Sequence, residues 1–389
     1  MKKNPSPDMQ TLREAIETSD RRILEELRKR MQIVEDVARV KLDAAIPLRD
    51  RLREDQVLAR VRSLAVETGL DPHEIERLYR LIMEMSIARQ QDHIRSRSVV
   101  PLRVAYQGVE GSYSHLTAQK RYRHRTGGVV LEGCDTFREV VDRVIDGRVD
   151  LALLPIENTT AGSINDTYDL LGDGGVAITH EVVSHIQHCL LGLPGSAIED
   201  LRSVISHPQG LAQCSAFFHA HPFIEVKPEY DTAGAARKVK DGNDATVGAI
   251  ASESAARVYG LEILSRDVQS QTGNFTRFVE VAREAAPCSE EVPVKTSLLL
   301  ELGHESGKLG TLLQVFSDHG VNLTKIESRP VLGRPFQYRF YLDFEGHQAS
   351  TSIVSALQAV EPMVSTLRIL GSYPRDLEGE GLAGPGRKD

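Results

Sequence analysis

Apolar positions follow three rhythms along the chain. From residue 9 to about residue 95 they recur in steps of three, four or seven. Leu12, Ile16, Ile23, Leu27, Met31, Val34 and Ala38 form one such stripe, the mark of an amphipathic helix. Nothing interrupts it before Pro47, so the spacing predicts a first helix of more than about thirty residues, ~45 Å long at 1.5 Å per residue. A second helix is expected from about Asp50 to Thr68, stopping at Gly69. A third is expected from "DPHE" to about His93, with Asp71 as N-cap and Pro72 at the first helical position. So long a first helix points to an extended bundle or a dimer.

After the linker "RSRSVVP" the pattern changes to short apolar runs alternating with helical segments: "LRVAYQG", "HLTAQKRYRH", "FREVVDRVIDG", "DLALLPIEN". That alternation predicts α/β units around a mainly parallel sheet. A second run of this kind begins near "ITHEVVSHIQHCLLGL" and includes "VGAIASESAARVYG", with "GNFTRFVEV" after it. Two α/β lobes with a cleft between them are expected. Beyond a second linker, "REAAPCSEEVP", the order βαββαβ is spelled by "KTSLLLEL", "KLGTLLQVFSDHG", "TKIES", "QYRFYLDFEG", "SIVSALQAV" and "LRILGSY", a ferredoxin-like unit. The expected divisions are 1–98, all-helical; 102–284, two α/β lobes; 293–375, βαββαβ; and 376–389, a Gly- and charge-rich tail expected to be disordered.

Composition narrows the class. The 389 residues are 41% hydrophobic and 26% charged, as in a globular protein of two or three domains. The apolar runs "LALLPI" and "SLLLEL" fall well short of the roughly 20 residues a membrane helix needs. The start "MKKNPSPDMQ" is polar, without a secretory signal. Cys134, Cys189, Cys214 and Cys288 are scattered, as expected of reduced thiols in a cytoplasmic protein. Residues 1–98 carry 20 Lys and Arg, sixteen of them Arg, against 18 Asp and Glu. Near-neutrality argues against a nucleic-acid surface and for arginines aimed at particular anions.

On the first helix Arg13, Arg30 and Lys41 fall close to the apolar stripe. Stems covering the core with heads in water would explain each singly. Arg30 and Lys41 are eleven positions apart, about three turns or ~16 Å, on one face where both could meet one anion. Arg13 lies seventeen positions before Arg30, roughly 25 Å away. It is either unrelated or serves a site on a partner chain. Asp50, Arg53 and Glu54 share a helix face at i, i+3, i+4, and Ser86 and Gln90 share another at i, i+4.

These residues, in "LREAIETSDRRILEELRKRM", "VKLDAAIPLRDRLRE" and "SIARQQ", resemble the all-helical chorismate mutases formed by two intertwined chains. The resemblance implies a site of Arg13, Arg30, Lys41, Asp50, Arg53, Glu54, Ser86 and Gln90, with Arg13 crossing into the other protomer. Chorismate carries two carboxylates, which guanidinium groups grip well. Its rearrangement is pericyclic and needs no nucleophile or base. It needs the chair-like conformer held and the developing charge on the ether oxygen stabilised.

In the middle segment "GVEGSYSHLTA", "PIENTTAGSINDTYDLL", "SHPQGLAQC" and "NFTRF" each follow an expected strand, where open α/β sheets bind ligands. Singly they also read as turns or caps. "GVEGSYSH" lacks the GK[ST] ending of a phosphate loop. In this order they resemble prephenate dehydratases, whose best-known mark is "TRF". An arginine in an apolar strand is costly unless paired. Prephenate carries two carboxylates, so the resemblance implies that Arg277 meets a substrate carboxylate, a structural salt bridge being the alternative, and it makes Thr276 the proton donor to the departing hydroxyl. Ser112, Glu157, Asn158, His207, Gln213, Asn274 and Phe278 are expected around the substrate. No metal or organic cofactor is expected, and no metal-ligand spacing is present.

The βαββαβ unit resembles an ACT domain of the kind that binds phenylalanine. The implied effector site is "GTLL", Gly310, Thr311, Leu312 and Leu313, with "ESRP", Glu327, Ser328, Arg329 and Pro330. Thr311 stands where that family usually has alanine. Together the segments resemble the bifunctional chorismate mutase–prephenate dehydratase family: chorismate and prephenate as substrates, phenylalanine as inhibitor, a homodimer or higher homo-oligomer, and no nucleic-acid or membrane partner. The alternatives are an amino-acid sensor or an enzyme with one activity retained.

Overall fold

The computed structural model describes residues 9–43, 51–97, 101–125, 127–286, 288, 292–303, 305–331, 334 and 337–377. Its contacts divide the chain into two compact units, residues 1–101 with 125–128 and the rest.

In the first unit α1 runs Met9–Asp43, α2 Arg51–Thr68 and α3 Pro72–Arg97. The α2–α3 turn is local chemistry. Gly69 takes φ +75°, and Leu70 N–H returns to the Ala65 carbonyl at 2.9 Å, closing the helix in the left-handed way glycine allows. Asp71 then caps α3, accepting from His73 N–H at 2.7 Å. Val34 and Ala38 of α1, Leu58, Val61 and Ala65 of α2, and Ile82 and Met83 of α3 are buried. The first half of α1 is exposed from Met9 to Glu26; Ile16 is 61% and Ile23 59% accessible.

The second unit opens with β1 (Leu102–Gln107), α4 (Tyr113–Tyr122), β2 (Val129–Cys134), α5 (Phe137–Ile145), β3 (Leu151–Asn158), β4 (Gly162–Ser163), α6 (Asn165–Asp173) and β5 (Ala177–His185). It continues with β6 (Cys189–Gly192), β7 (Ser203–Ser206), α7 (Pro208–Gln213), α8 (Ser215–Ala220), β8 (Glu225–Pro228), α9 (Thr232–Gly242), β9 (Val247–Ala251), α10 (Glu253–Tyr259) and β10 (Glu262–Ser265), then β11 (Phe275–Ala282). The first-lobe sheet has the order β2-β1-β3-β11-β5, with β4 beside β3; the second has β10-β6-β9-β7-β8. In the first, β11 runs against β3 and β5 and short β4 against β3, the rest being parallel; in the second, only β6 is antiparallel, against β9 and β10.

The second lobe was expected to begin with "ITHEVVSHIQHCLLGL", but β5 belongs to the first lobe. The chain crosses at Ile186–His188, where no glycine or proline marks a break. It crosses back before β11, and the two crossings lie side by side: Ile186 N–H donates to the Asn274 carbonyl at 2.8 Å and Val268 N–H to the His188 carbonyl at 3.1 Å.

The last part is β12 (Val294–Leu302), α11 (Lys308–Asp318), β13 (Leu323–Pro330), β14 (Tyr338–Glu345), α12 (Thr351–Val360) and β15 (Val364–Pro374). Its sheet order β13-β14-β12-β15 is the ferredoxin-like arrangement expected from the sequence. This sheet packs on the first lobe, and Leu299, Tyr341, Leu370 and Tyr373 join the core of that lobe. Gly371 permits the approach: a Cβ there would strike the Ile178 carbonyl of β5. Of the expected disordered tail, 376–389, residues 378–389 lie outside the described residues, while its first residue, Asp376, is ordered and accepts from Val183 N–H at 2.7 Å.

Candidate active sites

Three of the predicted helical-unit residues come together. Arg30 of α1 donates to Ser86 Oγ of α3, and Ser86 donates to the Ile82 carbonyl at 2.6 Å. One turn on, Gln90 bonds the Ser86 carbonyl at 3.3 Å, while its buried Oε1 has no hydrogen-bond partner. Burial lowers the Arg30 pKa from its ordinary value. Lys41 and Glu54 are half-buried, and Arg53 is exposed, donating to Gln56 at 3.2 Å. Asp50 lies outside the described residues. Arg13 stands on the exposed half of α1, five turns before Arg30 and ~25 Å along the axis.

Between the two lobes is a cavity of about 750 Å³ lined by Ser112, Tyr113, Ser114, Arg138 and Asp169 of the first lobe and His207, Tyr230 and Thr232 of the second. It shares Tyr113, Ser114, His207 and Thr232 with a smaller cavity of about 150 Å³ that Asn158, His188, Gln213, Thr276 and Phe278 also line. Ser112 and His207 cap α4 and α7: Ser112 Oγ accepts from His115 N–H at 3.3 Å, His207 Nδ1 from Gln209 N–H at 3.2 Å. Burial pushes the His207 pKa down. At the floor, Asn158 Nδ2 donates to Thr276 Oγ at 2.9 Å and to Asn274 Oδ1 at 2.7 Å. Asn274 donates on to Gln213 at 3.0 Å. Ser112, Asn158, His207, Gln213, Asn274, Thr276 and Phe278 thus lie together around these cavities.

Arg277 and Glu157 do not. Strand alternation sends Thr276 and Phe278 to the cleft and Arg277 to the opposite face, against the βαββαβ sheet. There Arg277 meets Asp343 at 2.6 Å, Glu181 at 3.3 Å and Glu157 at 3.6 Å, and Lys295 meets Glu181 at 2.9 Å. Glu157 is also held by Lys325 at 2.9 Å. The guanidinium side chain is 10% exposed, and protein carboxylates hold its pKa well above the ordinary value despite the cost of burial. Protein, not substrate, neutralises this arginine.

In the βαββαβ unit Gly310 and Thr311 are exposed on the first turn of α11, Leu312 is buried and Leu313 half-buried. Thr311 Oγ donates to the Gly307 carbonyl at 3.2 Å. Ser328 and Pro330 on β13 are exposed. Their neighbours turn to the first lobe: Glu327 accepts from Ser163, and Arg329 forks onto Asp169 at 2.7 and 3.1 Å. A cavity of about 320 Å³ opens at the start of α11, between Gly303, Lys308 and Phe340.

Comparison with known proteins bears on both sites. Residues 12–91 match the sequence model described as chorismate mutase type II, and residues 104–286 match that of prephenate dehydratase. The bifunctional chorismate mutase/prephenate dehydratase of Enterobacter agglomerans is 36% identical over 377 residues, covering 96% of this chain and 97% of that protein. The chain belongs to the bifunctional chorismate mutase/prephenate dehydratase family. Among solved structures, the Arthrobacter aurescens prephenate dehydratase in complex with L-Phe is 27% identical, with a TM-score of 0.65 over 70% of this chain and 90% of that one. GqqA, described as a novel type of quorum quenching acylase, is 34% identical, with a TM-score of 0.63 over 71% of this chain and 99% of that one. In this family the helical unit rearranges chorismate to prephenate, and the lobed unit converts prephenate to phenylpyruvate with loss of water and carbon dioxide.

Tyr113, Thr160 and His188 line or support the dehydratase cavity and were not singled out in the sequence. Tyr113 and Thr160 lie inside the polar clusters "GVEGSYSHLTA" and "PIENTTAG". His188 had no signal, standing in an apolar run that reads as strand.

Proposed function

We propose that Thr276 is the proton donor of the dehydratase centre. The observation that carries this is the hydrogen bond from Asn158 Nδ2 to Thr276 Oγ. With its oxygen already accepting, the threonine keeps its own proton for the substrate, and the amide stabilises the alkoxide that proton transfer leaves behind. As the C–O bond breaks, the hydroxyl leaves as water, the ring carboxylate leaves as carbon dioxide, and its bonding pair completes the aromatic ring. Arg138 and the first-turn amides of α4 hold substrate carboxylate in the place Arg277 was expected to take. Ser112, His207, Gln213, Asn274 and Phe278 shape the site.

In the mutase, Arg13, Arg30 and Arg53 grip the carboxylates of chorismate, and Asp50 and Glu54 hold its hydroxyl and orient the cations. Lys41 stabilises the ether oxygen together with Gln90, whose amide turns over on substrate binding to present Nε2–H in place of the open Oε1, and Ser86 seats Arg30. The exposed stripe of Leu12, Ile16 and Ile23 supports a homodimer in which this half of α1 lies in the partner's unit and Arg13 completes the partner's site. Phenylalanine is the effector, bound near Gly310–Leu313 and Glu327–Pro330; the L-Phe complex of the Arthrobacter relative supports this choice. The domain limits are 1–98, 102–284 and 293–375. No helix among the described residues is long and apolar enough to cross a membrane, and the protein works in the cytoplasm. Incubation with chorismate tests the whole reading. Phenylpyruvate is expected; accumulated prephenate would leave only the mutase, and unchanged chorismate would leave a sensor.

A further inference from the structure

The polar groups behind Thr276 form a ring in which every donor points the same way round. Two backbone N–H groups fix its direction: Thr160 and Ala161 both donate to Asn158 Oδ1, at 3.0 Å each. Asn158 therefore presents Nδ2 to Asn274 Oδ1 at 2.7 Å. Asn274 Nδ2 donates to Gln213 Oε1 at 3.0 Å, Gln213 Nε2 to Thr160 Oγ at 2.7 Å, and Thr160 Oγ back to Asn158 Oδ1 at 2.7 Å. A backbone amide cannot turn round, so no side-chain amide in the ring can either without leaving two donors face to face.

One side chain outside the ring touches this circuit at its acceptor. His188 Nε2 lies 2.7 Å from Gln213 Oε1. Because that oxygen can only accept, the imidazole must carry its proton on Nε2. Its Nδ1 lies 2.9 Å from the Tyr113 hydroxyl, whose proton it shares with the Gln187 carbonyl at 2.6 Å. The ring is 2% exposed, and burial lowers its pKa, which agrees with a neutral imidazole of fixed tautomer.

We propose that His188 is a positioning residue of the dehydratase: its Nε2–H holds Gln213 in register, and the amide ring thereby keeps the Asn158 N–H on Thr276 Oγ. His188 lies on the first crossing between lobes, Gln213 comes from the second lobe, and Asn158 from the first. Without the imidazole donor Gln213 keeps the sense the ring imposes but loses the bond that fixes its position from the lobe crossing; its Oε1 drifts from Asn274, and the Asn158 amide divides its protons differently among Asn274, the Phe275 carbonyl at 3.1 Å and Thr276. The histidine acts on the rate of proton donation and leaves substrate affinity nearly alone.

The inference rests on Thr276 as proton donor, so Thr276→Val is measured beside it in the full chain, with prephenate as substrate. His188→Leu, His188→Glu and His188→Gln are compared. Glutamine places an N–H near the Nε2 position; glutamate, its near-isostere, offers only an acceptor when ionised. His188→Leu and His188→Glu should lower kcat about 10- to 100-fold, as displacement of a catalytic group does, with KM within about twofold. His188→Gln should stay within about threefold of the parent. The Gln–Glu contrast survives even if the leucine variant fails to fold. Equal impairment of the Gln and Glu variants, or parental kcat in His188→Glu while Thr276→Val is inactive, overturns the role of His188. An active Thr276→Val overturns the donor assignment beneath it.

Discussion

Replacing Arg277 by methionine tests where that cation does its work. The guanidinium sits between Asp343 and Glu181, whose side chains are 6% and 0% exposed. Glu181 would keep Lys295, whereas Asp343, among the described residues, would keep its hydrogen bond from Ser297 at 2.6 Å and the weaker pull of the Lys295 charge. Removing one partner of a buried ion pair costs about 3–5 kcal/mol, because the other charge stays behind unpaired. Thermal unfolding followed in the second unit should show this as a fall of roughly 6–20 °C in Tm, at about 2–4 °C per kcal/mol. The double change Arg277→Met with Asp343→Leu strands no charge at Asp343. Its cost should therefore be clearly less than the sum of the two single changes. Below the unfolding temperature, KM for prephenate should stay within about threefold of the parent, since uniform substrate binding is not what this residue supplies. Acid should reproduce the effect in the unmodified protein. Burial alone would raise the Asp343 pKa, but Arg277, Ser297 and Lys295 outweigh it and hold it below the ordinary value. The stabilisation is therefore complete above the unfolded-state value of about 3.9 and is lost as pH falls through the lower, folded value. A loss under ~1 kcal/mol on Arg277→Met, or a KM raised by an order of magnitude, would refute the reasoning and return Arg277 to the substrate.

Thr276→Val should lower prephenate turnover by about 10²- to 10⁴-fold, the usual worth of a general acid, while chorismate consumption continues at the parental rate. Arg13→Ala and Arg30→Ala should each abolish mutase activity, and mixed dimers of the two should regain part of it, because one of the two shared sites is then intact; no recovery in verified mixed dimers would sink the crossed arrangement. His180 is held down to about 4, by burial first and then by Arg121. The unfolded chain, with an ordinary histidine near 6.5, takes up that proton first, so stability should fall as pH drops from about 6.5 to about 4. His180→Asn should flatten that part of the stability–pH curve.

Much of the architecture could be read from spacing alone. The three-four-seven recurrence from Leu12 to Ala38 gave one unbroken helix, and the six segments after Val294 gave the βαββαβ order. The lobe boundary could not be read this way: a chain crossing in extended conformation through Ile186–His188 needs no turn residue. In the site, polar residues after strands were found because they interrupt an apolar pattern. Arg277 was seen for the same reason, but its partner Asp343 lies 66 positions away on another sheet. Only tertiary packing tells a protein carboxylate from a substrate one. His188 shows the converse limit: a functional imidazole in an apolar stretch leaves no trace in periodicity.

The βαββαβ sheet bonds the first lobe at Ser163, Asp169 and Glu181, while Gln213 belongs to the second. Anything that swings the second lobe away pulls Gln213 off Asn274 and Thr160 and opens the circuit behind Thr276. Lobe opening in such a molecule is a chemical switch as well as a doorway: an open enzyme would be idle even with prephenate resting on the first lobe. An effector seated on the far sheet would then need no path of its own to the threonine, since biasing the angle between lobes is enough.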